Sequence, residues 1–126
     1  MLVDTSVWVD HLRKRNPTLV ALLESGEVLT HPFVIGELAC GNLAQRARVL
    51  GALGELPFVP AASHEEVLEF LETRKLMGRG LGWIDLHLLA SSIIAKVPLW
   101  SADKRLSGVA REIGESCCPV LRRLAS

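Results

Sequence analysis

The sequence predicts an α/β fold of three layers, with a mostly parallel sheet held between helices. Short apolar runs of strand length alternate with longer stretches of helical periodicity along the chain, and right-handed crossovers pack such units into a parallel sheet. The first run, Leu2-Val3, stops abruptly at Asp4-Thr5-Ser6. That puts a carboxylate at the C-terminal end of a strand, where an open α/β sheet forms its ligand crevice. The 126 residues are 49% hydrophobic, enough to bury one core, so residues 1–126 are expected to form a single domain.

After Asp4, Val7-Trp8-Val9-Asp10-His11-Leu12 opens a helix with Thr5 or Ser6 as its expected cap, and Trp8, His11 and Leu12 share a face. Asn16-Pro17 ends that helix and begins another turn. Gly26-Glu27 marks a turn into a second strand, Val28-Leu29-Thr30, which His31-Pro32 closes before a helix over Phe33 to Leu43. A further helix is expected from Gln45 to Leu53, with Ala47, Leu50 and Leu53 on its apolar face and Gly54 at its end. Leu56-Pro57-Phe58-Val59-Pro60 reads as a third strand, which its prolines confine to a sheet edge.

Ser63-His64-Glu65-Glu66 has capping-box spacing and starts a helix through Lys75, with Val67, Leu68, Phe70 and Leu71 inward and Glu65, Glu69 and Glu72 outward. The glycines of Met77 to Gly82 are too few and wrongly spaced for a phosphate-binding fingerprint. Trp83-Ile84-Asp85-Leu86 begins a helix that is apolar nearly all round to Ile94, and is therefore expected to be buried. Pro98-Leu99-Trp100-Ser101 is a fourth strand, Asp103-Lys104-Arg105-Leu106 begins the next helix, and Cys117-Cys118-Pro119-Val120-Leu121 reads as a fifth, edge strand.

The charges balance at 14 basic and 14 acidic residues, so any contact with nucleic acid has to come from a local patch. Three cysteines, two of them adjacent, fit neither a disulfide framework nor a zinc site. Asp4 and Asp10 interrupt any secretory signal, and the apolar tract Leu86 to Ala95 falls short of the roughly 20 residues a membrane span needs. The expectation is a soluble, cytoplasmic protein.

Four acids fall at element ends. Asp4 follows the first strand, Glu37 lies in the helix after the second, Asp85 in the first turn of the buried helix, and Asp103 after the fourth strand. Singly, Asp4 could be a turn residue, and Asp85 and Asp103 could complement helix N-termini. Glu37 stands among Val34, Ile35, Leu38 and Ala39, in a segment expected to face the sheet, where an unpaired carboxylate is costly. Gathered in one crevice, the four would repel unless some hold protons or a divalent cation neutralises them. Oxygen-only ligands select hard ions such as Mg²⁺ or Mn²⁺, and such a site suits phosphodiester hydrolysis.

Leu2-Val3-Asp4-Thr5-Ser6, Ile35-Gly36-Glu37-Leu38, Trp83-Ile84-Asp85-Leu86 and Leu99-Trp100-Ser101-Ala102-Asp103 resemble the four acidic motifs of PIN-domain ribonucleases. In size and motif order the chain is most similar to the VapC toxins of toxin–antitoxin modules. The resemblance implies that Asp4, Glu37, Asp85 and Asp103 bind Mg²⁺ or Mn²⁺ and carry catalysis, with Thr5, Ser6 and Ser101 as supporting hydroxyls. It further implies a five-stranded sheet of order 3-2-1-4-5, a homodimer, an RNA substrate, and inhibition by a cognate VapB-like antitoxin. His87 stands where the family leads one to expect a small or apolar residue.

Arg79, Lys104 and Arg105 are the expected contacts to RNA phosphates, because they flank Asp85 and Asp103, whereas Arg13-Lys14-Arg15 reads as a solvated face. Trp83 is a conceivable base-stacking platform, but its apolar surroundings favour core packing. His31 could border the crevice, although a structural or surface role is favoured, and the cysteines read as buried or incidental thiols.

The alternative to a nuclease is a non-catalytic RNA- or protein-binding domain of the same fold, which the presence of all four acids disfavours. An aspartate-nucleophile phosphatase would need a second Asp where Ser6 stands. A phosphoacceptor receiver would need paired acids after the first strand.

Overall fold

The computed structural model describes residues 1–117. The elements run β1 (Leu2–Val3), α1 (Thr5–Arg13), α2 (Pro17–Glu24), α3 (Pro32–Ala39), α4 (Arg46–Gly54), α5 (His64–Arg74), α6 (Trp83–Ala95), β2 (Leu99–Trp100) and α7 (Lys104–Cys117). The chain is helix-rich around a small parallel sheet. β1 pairs with β2 in the register Leu2 to Leu99 and Val3 to Trp100. Beyond β1, single parallel bridges join Leu2 to Leu29 and Thr30 to Phe58. The second and third expected strands are therefore bridge-length segments, each held by a few backbone bonds such as Leu29 N–H to Met1 (2.7 Å) and Val59 N–H to Thr30 (2.9 Å).

Leu2 and Val3 are fully buried, as are Leu88 and Leu89 of α6, Leu106 of α7 and Val67 of α5. α6 is the central helix: every residue from Leu86 to Ser92 is buried, as its unbroken apolar run requires. Among the described residues no helix is long and apolar enough to cross a membrane.

Local rules account for most helix ends. Asn16 caps α2 through bonds from the Thr18 and Leu19 amides. Ser63 and Glu66 form the expected capping box of α5. Lys75 and Lys96 end α5 and α6 in the left-handed conformation, a common helix stop.

Several expectations are corrected. The cap of α1 is Asp4, and Thr5 and Ser6 are already helical, because the strand ends at Val3 and only Asp4 separates it from the helix. α3 ends at Ala39, four residues before Leu43, where the Arg46 guanidinium bonds the carbonyls of Ala39 and Gly41. Ala47 and Leu68 are exposed. The inward face of α4 runs through Val49, Leu50 and Leu53, and that of α5 through Val67, Phe70 and Leu71. Cys117 closes α7 and does not open a strand, and the rest of the expected fifth strand, 118–121, lies outside the described residues.

Candidate active site

Sheet register assembles the first half of the site. Val3 lies opposite Trp100, so the next residues, Asp4 and Ser101, leave the sheet side by side, tied by the Asp4 amide donating to the Trp100 carbonyl at 2.9 Å. The Ser101 hydroxyl donates to Asp4 Oδ2 at 2.8 Å, and Ser6, the second residue of α1, donates to the same oxygen at 2.7 Å. The Ser6 Oγ also accepts the Ala102 amide, and the Ser101 Oγ accepts the Asp103 amide. Asp4, only 5% exposed, is thus fixed by hydroxyls that also shape the loop into Asp103.

The other three acids are each oriented by one oxygen. Glu37 Oε1 accepts the Thr5 hydroxyl at 2.6 Å. Asp85 Oδ2 accepts the Gly82 amide at 2.9 Å, reaching back from the first turn of α6 to its N-cap residue. Asp103 Oδ1 accepts the amides of Arg105 and Leu106 and caps α7. In every case the second carboxylate oxygen accepts no described hydrogen bond, and none of the four acids is in a described ion pair. Glu37 is exposed, contrary to the sheet-facing position expected for it. The reason is that α3 turns Val34 and Leu38 inward, leaving position 37 on the outer side, towards Thr5.

Electrostatics link the acids. Burial raises the Asp85 carboxyl above the ordinary aspartate range, the Gly82 hydrogen bond opposes this, and the charges of Asp4 and Asp103 add to the rise. Among the described residues no three carboxylate, imidazole or thiol groups stand at the spacing needed to hold one ion. Mutual repulsion between carboxylates opposes their closing on a point.

The basic residues divide. Arg79 donates to Glu112 of α7 at 2.8 Å, in an exposed ion pair, so the guanidinium expected at phosphate is engaged elsewhere. Lys104 and Arg105 are exposed at the start of α7. The Arg105 side chain lies against Gly80, where a Cβ would come within 2.9 Å of Arg105 Cδ. With φ of +80° as well, Gly80 is the residue this loop requires.

Trp83 is 37% exposed and does not belong to the core. It stacks edge-on with His87 (4.7 Å) and His64 (5.1 Å), and His87 in turn meets Phe33 (4.8 Å). His31 is 2% exposed and caps α3, its Nδ1 accepting the Phe33 amide at 3.0 Å. The favoured structural role therefore stands. Cys40 is a free, exposed thiol, not a buried one.

Sequence reading took Arg13 for part of a solvated face and passed over Asn42. Both line a cavity of about 410 Å³ together with Glu37. The available signal was periodicity: Thr5, Val9, Leu12 and Arg13 follow one another at helical spacing on a single stripe of α1.

Comparison with known proteins agrees with this geometry. Residues 1–112 match the PIN domain family. Two curated relatives, both named Ribonuclease VapC32, come from Mycobacterium tuberculosis strains CDC 1551 / Oshkosh and ATCC 25618 / H37Rv. Each is 46% identical over 115 residues, covering 90% of this chain and 93% of the relative. No solved structure matches the chain. With the family pattern spanning β1 to α7 and all four acids inside it, the chain belongs to the PIN domain family.

Proposed function

We propose that this chain is a metal-dependent endoribonuclease that hydrolyses RNA phosphodiester bonds, the toxin of a type II toxin–antitoxin pair. The observation that carries the reading is Asp4, a nearly buried carboxylate locked by Ser6 and Ser101 and within electrostatic reach of Asp85, which Asp103 also influences. A structural aspartate needs no second carboxylate within electrostatic reach. The 46% identity to a protein named a ribonuclease points the same way.

Asp4, Glu37, Asp85 and Asp103 are the residues that would hold Mg²⁺ or Mn²⁺. Their fit rests on donor chemistry: four carboxylates, each with one oxygen anchored by a protein donor and the other not so occupied. Oxygen donors of this kind suit hard divalent ions. When bound, such an ion supplies Lewis acidity and an acidified water for attack on phosphorus.

The protein's own contribution is orientation. Ser6 and Ser101 fix the plane of Asp4, and Thr5 aims Glu37. The Asp103 amide ties that acid to the same serine. Lys104 and Arg105 are placed to meet phosphate beside Asp103. Arg79 joins them only by leaving Glu112, which an exposed ion pair permits at small cost.

The parallel neighbours Phe58 with Thr30, Leu29 with Leu2, and Val3 with Trp100 support the 3-2-1-4 part of a sheet of order 3-2-1-4-5, in one domain spanning 1–126. A VapB-like antitoxin, which the VapC32 name of the relatives supports, and a cytoplasmic homodimer, which the family resemblance alone implies, complete the reading. The test is incubation of the purified chain with total RNA, with and without Mg²⁺ or Mn²⁺, beside the Asp85→Asn variant. Cleavage confined to the wild type with metal is expected. Cleavage that persists in EDTA or in the variant would refute the mechanism.

A further inference from the structure

Glu37 is both a member of the acidic group and part of the wall of the cavity of about 410 Å³. The cavity follows α1 away from Thr5, which holds Glu37, along Val9 and Leu12 to Arg13. At 1.5 Å per residue the stripe from Thr5 to Arg13 is about 12 Å long. Leu38 and Leu43 complete an apolar lining, and Asn42 contributes the amide. The volume is in the range of small-ligand pockets, which combine apolar walls with a few placed polar groups.

The charge distribution indicates the occupant. Arg13 has no described acidic partner, although Glu37 lines the same cavity. Lys14 and Arg15 follow it, both exposed. Positive charge therefore accumulates at the end of the cavity distant from the acids, where an anionic strand leaving the site would pass.

We infer that this cavity is a subsite for one unpaired nucleotide flanking the scissile phosphate, with Arg13 on its phosphate, the base against the aliphatic wall, and Asn42 on the base edge. The inference rests on the ribonuclease reading for the position of the scissile phosphate. It adds a binding group and a specificity group that the four acids do not provide. Aliphatic walls accept any base, so discrimination falls to Asn42, whose amide both donates and accepts. An aliphatic peptide segment of a protein partner is the rival occupant, but it gives Arg13-Lys14-Arg15 no counter-charge unless it is also acidic.

The test uses the full chain and a short unstructured RNA. Binding is followed by fluorescence anisotropy over a salt series, in EDTA and again in Ca²⁺. Arg13→Gln should weaken binding about five- to tenfold at low salt and reduce the slope of log affinity against log salt by about 0.7, the value for one phosphate contact on a single strand. Lys96→Gln, which removes an equal charge at the far end of α6, should match wild type. In Mg²⁺ or Mn²⁺, Asn42→Ala should change the base preference at one position beside the cut.

Wild-type affinity and slope for Arg13→Gln, or no RNA binding by wild type in either condition, overturns the subsite. So does unaltered cut preference in Asn42→Ala, or loss of antitoxin inhibition in Arg13→Gln with RNA binding intact. RNA that binds with an Arg13-dependent slope yet is never cut supports a nucleotide site in the cavity but removes the ribonuclease reading, and with it the site's place beside a scissile phosphate. Cleavage that ignores Arg13 and Asn42 does the reverse.

Discussion

Acidification is expected to destabilise this protein through His31, and the size of the effect follows from its surroundings. The ring is 2% exposed. Its Nδ1 accepts the Phe33 amide, and its Nε2 has no hydrogen-bond partner among the described residues. Burial, reinforced by the neighbouring His87, lowers its pKa from 6.5 to about 4. An imidazole that stays neutral when folded but charges when unfolded gives the unfolded state more protons. Its contribution is therefore intact above pH 6.5, declines as the pH falls below 6.5, and is fully lost below about 4. At about 1.4 kcal/mol per pH unit over that interval, the loss comes to about 3 kcal/mol, a large part of a small domain's stability.

The comparison is with His31→Asn, because Asn is a good N-cap whose side-chain oxygen can replace Nδ1. The variant forfeits ring contacts with Phe33 and His87, a cost that does not vary with pH. Urea denaturation at steps from pH 7 to pH 4 measures the difference. The variant should start less stable than wild type and gain on it steadily below pH 6.5. A stability difference that stays constant across the series would refute a buried neutral His31.

Three further outcomes are expected. Asp85→Asn should raise the thermal midpoint at neutral pH in EDTA, because a carboxyl whose pKa is raised by burial and by Asp4 and Asp103 destabilises the fold once ionised; a lower midpoint would contradict that origin. Ser101→Ala removes a donor to Asp4 and an acceptor for the Asp103 amide, and chemical denaturation should show a loss of about 1–3 kcal/mol. Millimolar Mn²⁺ or Mg²⁺ should raise the midpoint of the wild type, and Asp4→Asn should weaken that response, as differential scanning fluorimetry would record. No metal response in the wild type would count against a shared carboxylate site.

Local pattern carried much of the reading. Strand ends, caps and the apolar run of α6 are set by neighbours a few residues apart, so Asp85 at a helix start and Asp103 at a cap could be placed from the sequence. The same approach misplaced Glu37, because an apolar neighbourhood was taken for burial while α3 in fact presents that position to Thr5. It misjudged Trp83 for a similar reason. Its apolar neighbours in sequence are inside, while its own ring lies at the surface against His64 and His87. Strand lengths were also overestimated, since β-prone composition indicates an extended segment but not how many of its residues find a partner.

By itself the sequence determined that Asp4, Asp85 and Asp103 stand where strands end and helices begin, because element boundaries depend on short-range periodicity and capping. Only the tertiary structure decided how those acids are held. Asp4 and Ser101 are 97 residues apart and meet through the parallel register of β1 and β2. Thr5 and Glu37 meet through the packing of α1 on α3, and that packing also brings Arg13 and Asn42 into the cavity beside Glu37. Register and helix docking are chosen by the whole core at once, and no local stretch of sequence records that choice.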